Sequence, residues 1–390
     1  MSPATAEAGP TPGYDLDAWR KRIPLLASRI PMNNCSQAPQ TDATRAAAER
    51  YLESWHRTGM DWDAWMEEVA LARRAFARLI HASADEIAVF SSVSEATSAV
   101  ASALDFTGPR RQVLATEAEF PTVGQVWLAQ ERRGARVTWV PVRDGAIDPA
   151  AYEPLLSQAV ALVSACHGYY LNGFTQDLAP LAARVHAHGA LLFADAYQTL
   201  GTGPVDVRAL DVDFLASGNL KFLMGVPGIA FLYVRRELVE TLYPSVTGWF
   251  GRADPFAFDP KRLDWSPTAS RFDTGTPPVI NAYIARAGME LIDGIGLEKI
   301  RAWHEVLGRR LIEGGRARGL ALHGGGDVSR KTATTAFVVP AAPAVEAAMR
   351  ARSVLPSARG PVIRLAPHFY TTLDDVDTAL DVLAAVLEGG

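Results

Sequence analysis

Cysteine and lysine are both scarce in this chain. Two cysteines, Cys35 and Cys166, are too few for a disulfide framework or a structural zinc site, and a reducing cytoplasm is the expected setting. No apolar run approaches the length that spans a membrane. The opening MSPATAEAGPTP lacks the basic and apolar regions of a secretory leader, and residues 1–13 read as a disordered tail. A charge excess is missing too. With 38 basic and 43 acidic side chains interspersed, the net charge is −5, which leaves no basic face for nucleic acid and no polybasic membrane anchor. Small molecules are the expected partners. Metal-ligand spacing is also absent: His186 and His188 stand two apart, on different faces of one helix.

Apolar residues, by contrast, make up 48% of the 390, enough for two cores. Residues 42–80 carry helical periodicity through Trp62, Trp65, Val69 and Phe76. Strand and helix patterns then alternate, with apolar strands at Ile87–Phe90, Val113–Ala115, Val137–Val142, Ala161–Cys166, Ala190–Phe193 and Val212–Ala216. Repeated β-α-β units predict an α/β fold, a mostly parallel sheet flanked by helices. After a strand at Gly228–Val234 comes a long loop rich in Pro, Gly and aromatics, and a smaller α+β domain is expected over 280–390, leaving 14–279 as the large domain. A capped amphipathic helix should run from Thr372.

Ligands of such sheets lie beyond the carboxyl ends of the strands. Ser92 to Ser94, Phe120, His167, Asp195 and Lys221 all fall just past a predicted strand. Lys221, one of only five lysines, lies in a Gly-rich loop 26 residues after Asp195. Pyridoxal 5'-phosphate (PLP) chemistry needs such a pair: the amine forms a Schiff base with the cofactor, and the carboxylate keeps the pyridine nitrogen protonated so that the ring accepts electrons from a carbanion.

The blocks DAYQ, DVRALDVDFLASGNLKFLMGVPGIAFLYV, EFPT, RFDTGTPPV and IRLAPHFYTTLDDVD resemble the class V aminotransferase group of fold-type I PLP enzymes, which includes cysteine desulfurases, selenocysteine lyases, kynureninases and isopenicillin-epimerase-like proteins. The resemblance implies that Lys221 carries the cofactor and Asp195 pairs with its ring nitrogen. Gln198 would face the phenolic oxygen, Phe120 would stack on the ring, and Val93 and Ser94 at a helix start would meet the phosphate. Trp249 and Thr276 resemble residues that reach a phosphate across a homodimer interface, making each site composite. Arg364 matches the arginine that binds a substrate α-carboxylate. Asn34 and Tyr170 fall on the substrate side, and His167 or Tyr170 suits proton transfer.

Two departures stand out. Leu220 replaces the polar residue that normally precedes the lysine, so Ser217 or Asn219 is expected to substitute as a phosphate ligand. SVLPSARGPVIRL contains no cysteine where desulfurases carry a nucleophile, which excludes persulfide relay by that route. The expected activity is C–S β-elimination from cysteine or a cysteine S-conjugate. Transamination or decarboxylation, kynureninase-like C–C cleavage, and a non-catalytic PLP-binding role are the alternatives.

Overall fold

A computed structural model of the chain describes residues 11–389, so most of the expected tail over 1–13 lies outside them. The N-terminal segment supplies a two-residue strand, β1 (Ile30–Pro31). Seven strands then build the central sheet: β2 (Ile87–Phe90), β3 (Gln112–Thr116), β4 (Arg136–Val140), β5 (Val160–Cys166), β6 (Leu191–Asp195), β7 (Phe214–Gly218) and β8 (Ala230–Val234). Their spatial order is β2-β8-β7-β6-β5-β3-β4. Strands β3 to β7 pair in parallel, whereas β8 is antiparallel to both of its neighbours.

Unbroken apolar strands are what a sheet covered on both faces requires. Leu114, Val163 and Leu215 enter one buried core, while Val113, Leu162 and Phe214 enter the other on the opposite face. Helices Val93–Ala103, Pro121–Ala129 and Leu178–Ala187 make the crossovers. Their starts, like the loops after β6 and β7, therefore gather at one edge of the sheet.

The small domain packs helix Leu297–Ala317 on helix Leu373–Glu388 and on β9 (Thr335–Val338), and helix Ala342–Ala351 on β10 (Val354–Leu355), β11 (Ser357–Arg359) and β12 (Val362–Leu365). Trp303, Leu307, Phe337, Ile363 and Leu380 fill its core. The last helix opens on a capping box between Thr372 and Asp375, as expected. Strand β10 pairs in parallel with β1, which ties the N-terminal segment to this domain.

The expected domain boundary at 280 falls at the start of helix Val279–Ile295. Helix Val279–Ile295 buries Ala282, Ala285 and Met289 in the large core and packs on helices Asp42–Thr58 and Trp62–Leu79. The chain passes to the small domain at Gly296, whose φ of 96° ends that helix. Among the described residues no helix is long and apolar enough to cross a membrane.

Candidate active site

Strand β6 buries four of its five residues and ends at Asp195. Only 6% exposed, the carboxylate accepts one hydrogen bond through Oδ1, from the Tyr197 amide at 2.9 Å. Burial raises its pKa, opposed by that amide and by the Lys221 amine. Lys221 follows β7 in a tight loop, where Met224 (φ 60°) donates its amide to the Lys221 carbonyl at 3.0 Å. The amine sits 3.9 Å from the Tyr197 ring centre and 5.5 Å from that of Phe120. Desolvation lowers its pKa to about 8, against the pull of Asp195.

A cavity of about 500 Å³ surrounds this pair. At one end, Ser92 caps helix Val93–Ala103, and Val93 and Ser94 line the wall, so the first-turn amides and the helix dipole favour an anion there. Ser94 Oγ is 2.5 Å from Thr122 Oγ1. Glu95 turns away from the cavity, taken up by Ser91 and by Thr274 at 2.8 Å. Phe120 flanks the middle of the cavity, with Tyr170 packed edge-on at 5.3 Å. Gln198 also lines it and donates to the Cys35 carbonyl at 3.1 Å.

Arg364 closes the other end and is 1% exposed. Its guanidinium donates to the Tyr170 carbonyl (2.7 Å), Ser36 Oγ (2.9 Å), Ser357 Oγ (2.6 Å) and the Ser357 carbonyl (3.4 Å). Four of five N–H groups are thus engaged within the protein. Arg359, at the end of β11, also lines the cavity, and its guanidinium has no hydrogen bond or ion pair among the described residues.

Several expected residues stand elsewhere. His167 takes its Nδ1 to Thr199 Oγ1 at 2.9 Å and faces a second cleft with Thr175, Thr202 and Arg301; burial pushes its pKa down to about 4. Asn34 is spent at both ends of its amide, donating to the Ala366 carbonyl and accepting from Tyr370, each at 2.7 Å. Tyr170 reaches the site only through its carbonyl and its packing on Phe120. Ser217 donates to the Gly218 carbonyl at 2.9 Å. Asn219 folds beneath Gly225 inside the lysine loop, where its side-chain atoms have no partner. None of these five lines the cavity. Trp249 lies in an aromatic cluster with Trp62, Phe250 and Phe256, and Thr276 is exposed; neither lines the cavity.

Sequence reasoning missed Tyr197, Arg359 and Glu119. Tyr197 was within reach, since it lies between Asp195 and Gln198 in DAYQ. Glu119, one residue before Phe120, is buried and accepts from Ser164 at 3.0 Å; burial and the charge of Asp195 hold its pKa well above the carboxylate range.

The cavity suits PLP. A buried carboxylate with one hydrogen bond lacks a cationic partner that a protonated pyridine supplies, an amine lies beside it, and a helix start offers free amides to a phosphate.

A family model described as Aminotransferase class-V matches residues 35–344. An uncharacterized aminotransferase of Bacillus subtilis, YcbU, is 35% identical over 95% of this chain and 97% of that protein. A probable cysteine desulfurase of Pyrococcus abyssi is 27% identical over 95% of this chain and 97% of that protein. The apo structure of a cysteine desulfurase from Thermococcus onnurineus NA1 superposes with a TM-score of 0.87 at 24% identity, covering 98% of this chain and 100% of that one; the likeness is one of fold.

Proposed function

The chain belongs to the class V aminotransferase family and is a PLP-dependent enzyme, and from that premise we propose that it is a β-lyase cleaving the C–S bond of cysteine or a cysteine S-conjugate. The observation that carries this reading is a cavity with an amine, an acid and two guanidiniums but no thiol on a free loop. Cys35, the one thiol on the wall among the described residues, is 1% exposed on a segment whose carbonyl is tied to Gln198. Cys166 is buried behind Asp195, and its pKa is pushed well up by that burial. Sulfur then leaves directly with its own substituent.

Bound here, PLP supplies an aldehyde for amine exchange and a ring that accepts the electron pair left at Cα. Asp195 would hold the ring nitrogen in its protonated form. The amides at Val93 and Ser94 would take the phosphate, and Phe120 would pack against the ring. With its pKa near 8, the Lys221 amine is readily neutral and takes the Cα proton. Arg359 and the one free N–H of Arg364 hold the α-carboxylate. Breaking the Cβ–S bond sends its electron pair to sulfur, which leaves as a thiolate and takes up the proton that Lys221 removed from Cα, and hydrolysis completes the products as pyruvate and ammonium. We place Trp249 and Thr276 at the phosphate of a second subunit, so that two copies complete each site.

Transamination is the second reading, favoured by the name of the 35% identical relative. Product analysis separates the two. Thiol and pyruvate formed from S-conjugates without a keto-acid acceptor support the lyase. Turnover that requires the acceptor and leaves the C–S bond intact overturns it in favour of transamination, and alanine released by C–C cleavage overturns it in favour of a kynureninase-like reaction.

A further inference from the structure

Two buried histidines lie beneath the lysine loop, outside the cavity. His304, on helix Leu297–Ala317, and His368, in the turn after β12, are 1% and 0% exposed. His304 Nε2 is 3.2 Å from His368 Nδ1, and His368 Nε2 is 2.9 Å from the carbonyl oxygen of Phe222, the residue after Lys221. Both imidazoles belong to the small domain, and the carbonyl belongs to the large one.

The protons in this chain can be assigned. A carbonyl accepts only, so His368 Nε2 carries the hydrogen that faces Phe222. Desolvation pushes the pKa of both rings far below the ordinary histidine value, and a neutral ring has one N–H. His368 Nδ1 is therefore an acceptor, and His304 Nε2 donates to it. His304 Nδ1 is left bare, which agrees with its having no hydrogen-bond partner. The Thr202 carbonyl lies near His304 and competes for the same single proton. The bond from His368 Nε2 to the Phe222 carbonyl, at 2.9 Å, is the shorter of the two and stands on the His368 proton alone.

The surroundings hold the carbonyl at His368. Gly201, with φ of 88°, stands against it so closely that a Cβ there would lie 2.2 Å from the Phe222 oxygen. The Phe222 ring packs edge-on to His368 at 5.4 Å. His368 is itself fixed by its amide donating to Thr371 Oγ1 at 3.0 Å, and Thr371 by its carbonyl accepting from Trp303 Nε1 at 3.0 Å. A buried backbone carbonyl with one outside donor is held where that donor sits.

We propose that His304 and His368 are positioning residues for Lys221: one oriented N–H chain ties the Lys221–Phe222 peptide to the small domain and fixes the direction from which the amine enters the cavity. The inference rests on Lys221 as the cofactor-bearing residue. Since β12 carries Arg364 and leads directly to His368, the group that meets the substrate carboxylate and the group that steadies the lysine share one rigid turn. A movement of the small domain reaches both.

Hydrogen exchange in the cofactor-loaded, full-length protein tests this, followed by mass spectrometry on peptides covering 219–225. His368→Leu removes the donor and should speed exchange of that loop about fivefold, as loss of one buried hydrogen bond implies. His368→Gln keeps an N–H near the Nε2 position and should restore protection to within about twofold of the parent. His304→Leu removes the partner that sets the tautomer and should fall between these. The absorbance band of the bound cofactor should shift its pH midpoint in the Leu variants and return in the Gln variant. Peptides from β5 report global stability. Unchanged β5 exchange with a wild-type loop rate in His368→Leu overturns the proposal, as does a folded His368→Gln no better protected than His368→Leu. Should His368→Leu not fold, a folded His304→Leu with a wild-type loop rate overturns it equally. The lysine assignment fails separately. A borohydride-fixed cofactor found in Lys221→Ala would overturn that assignment and leave the loop-exchange result standing.

Discussion

A lysine amine packed against two aromatic rings gives up most of its hydration, and the opposing charge of Asp195 restores only part of what is lost. Such an amine reacts with an aldehyde more readily than a solvated one. Borohydride reduction and peptide mapping should place the pyridoxyl group on Lys221; a label on Lys261 would remove it from the chemistry. Asp195→Ala should keep some cofactor and lose turnover on the order of a hundredfold, because an unprotonated ring is a poor electron sink. Unchanged turnover would take Asp195 out of the mechanism. At the opposite end of the cavity the two arginines separate by their bonding. Arg359→Ala should raise KM on the order of tenfold with little effect on cofactor affinity. Arg364→Lys should weaken both KM and thermal stability, since its guanidinium also ties Ser36, Ser357 and the Tyr170 carbonyl together. Equal KM effects without a stability change would assign both arginines the same role.

Elements set which side chains meet, and here the sequence was readable only in part. Asp195 and Lys221 were legible because each follows an apolar strand, and an unbroken apolar run bounded by polar residues states where it ends. Val93 and Ser94 were legible as the first turn of a helix after Ser92. By contrast, Asn34 and Ser217 have the right chemistry and the wrong orientation. The partners of Asn34 include Tyr370, 336 residues away, and nothing local announces that bond. His167 follows a strand as expected, yet a hydroxyl one turn past Asp195 draws its ring toward the other cleft. The domain boundary is hard to read for a related reason: the amphipathic face of helix Val279–Ile295 states that it packs, not on which domain. Strand β7 gives an element-scale test. A Cβ at Gly218 would lie 2.1 Å from Tyr197 Cζ, so Gly218→Ala should displace the ring that supports the Lys221 amine and cost about 1–3 kcal/mol. Thermal melting and the bound-cofactor spectrum should change together; a shifted melt with an unaltered spectrum would uncouple Tyr197 from the lysine.

For the molecule as a whole, acid should act through the buried imidazoles. His368 has its pKa lowered from 6.5 to about 3, and His304 shifts the same way. The unfolded chain takes up those protons first, so their contribution to stability is complete above about pH 6.5 and is lost as pH falls toward 3. Asp195, Asp273 and Glu119 have raised pKa values and act with the opposite sign, losing stability as pH rises through the ordinary carboxylate range. Replacing both histidines by Gln should therefore flatten the acid limb of a stability profile between about pH 6.5 and 4; an unchanged slope would show that other groups govern it. Assembly has its own test. Lys221→Ala and Thr276→Trp chains, each inactive alone, should recover about a quarter of the parental activity after random subunit exchange, because one site in each hybrid carries neither lesion. No recovery after verified exchange would assign the whole site to one chain.

The short pairing of β1 with β10 bears on how the protein is made. Ile30 and its partner Val354 are 324 residues apart, while the neighbouring Cys35 and Ala38 meet Gln198 and Leu220 of the large domain. Contacts of such sequence separation form late and slowly. The pairing of β1 with β10, and the contacts of Ser36 with Ser357 and Arg364, should thus be among the last to form. A nascent chain can complete the sheet, and even present its lysine, well before it can close the pocket around an amino acid.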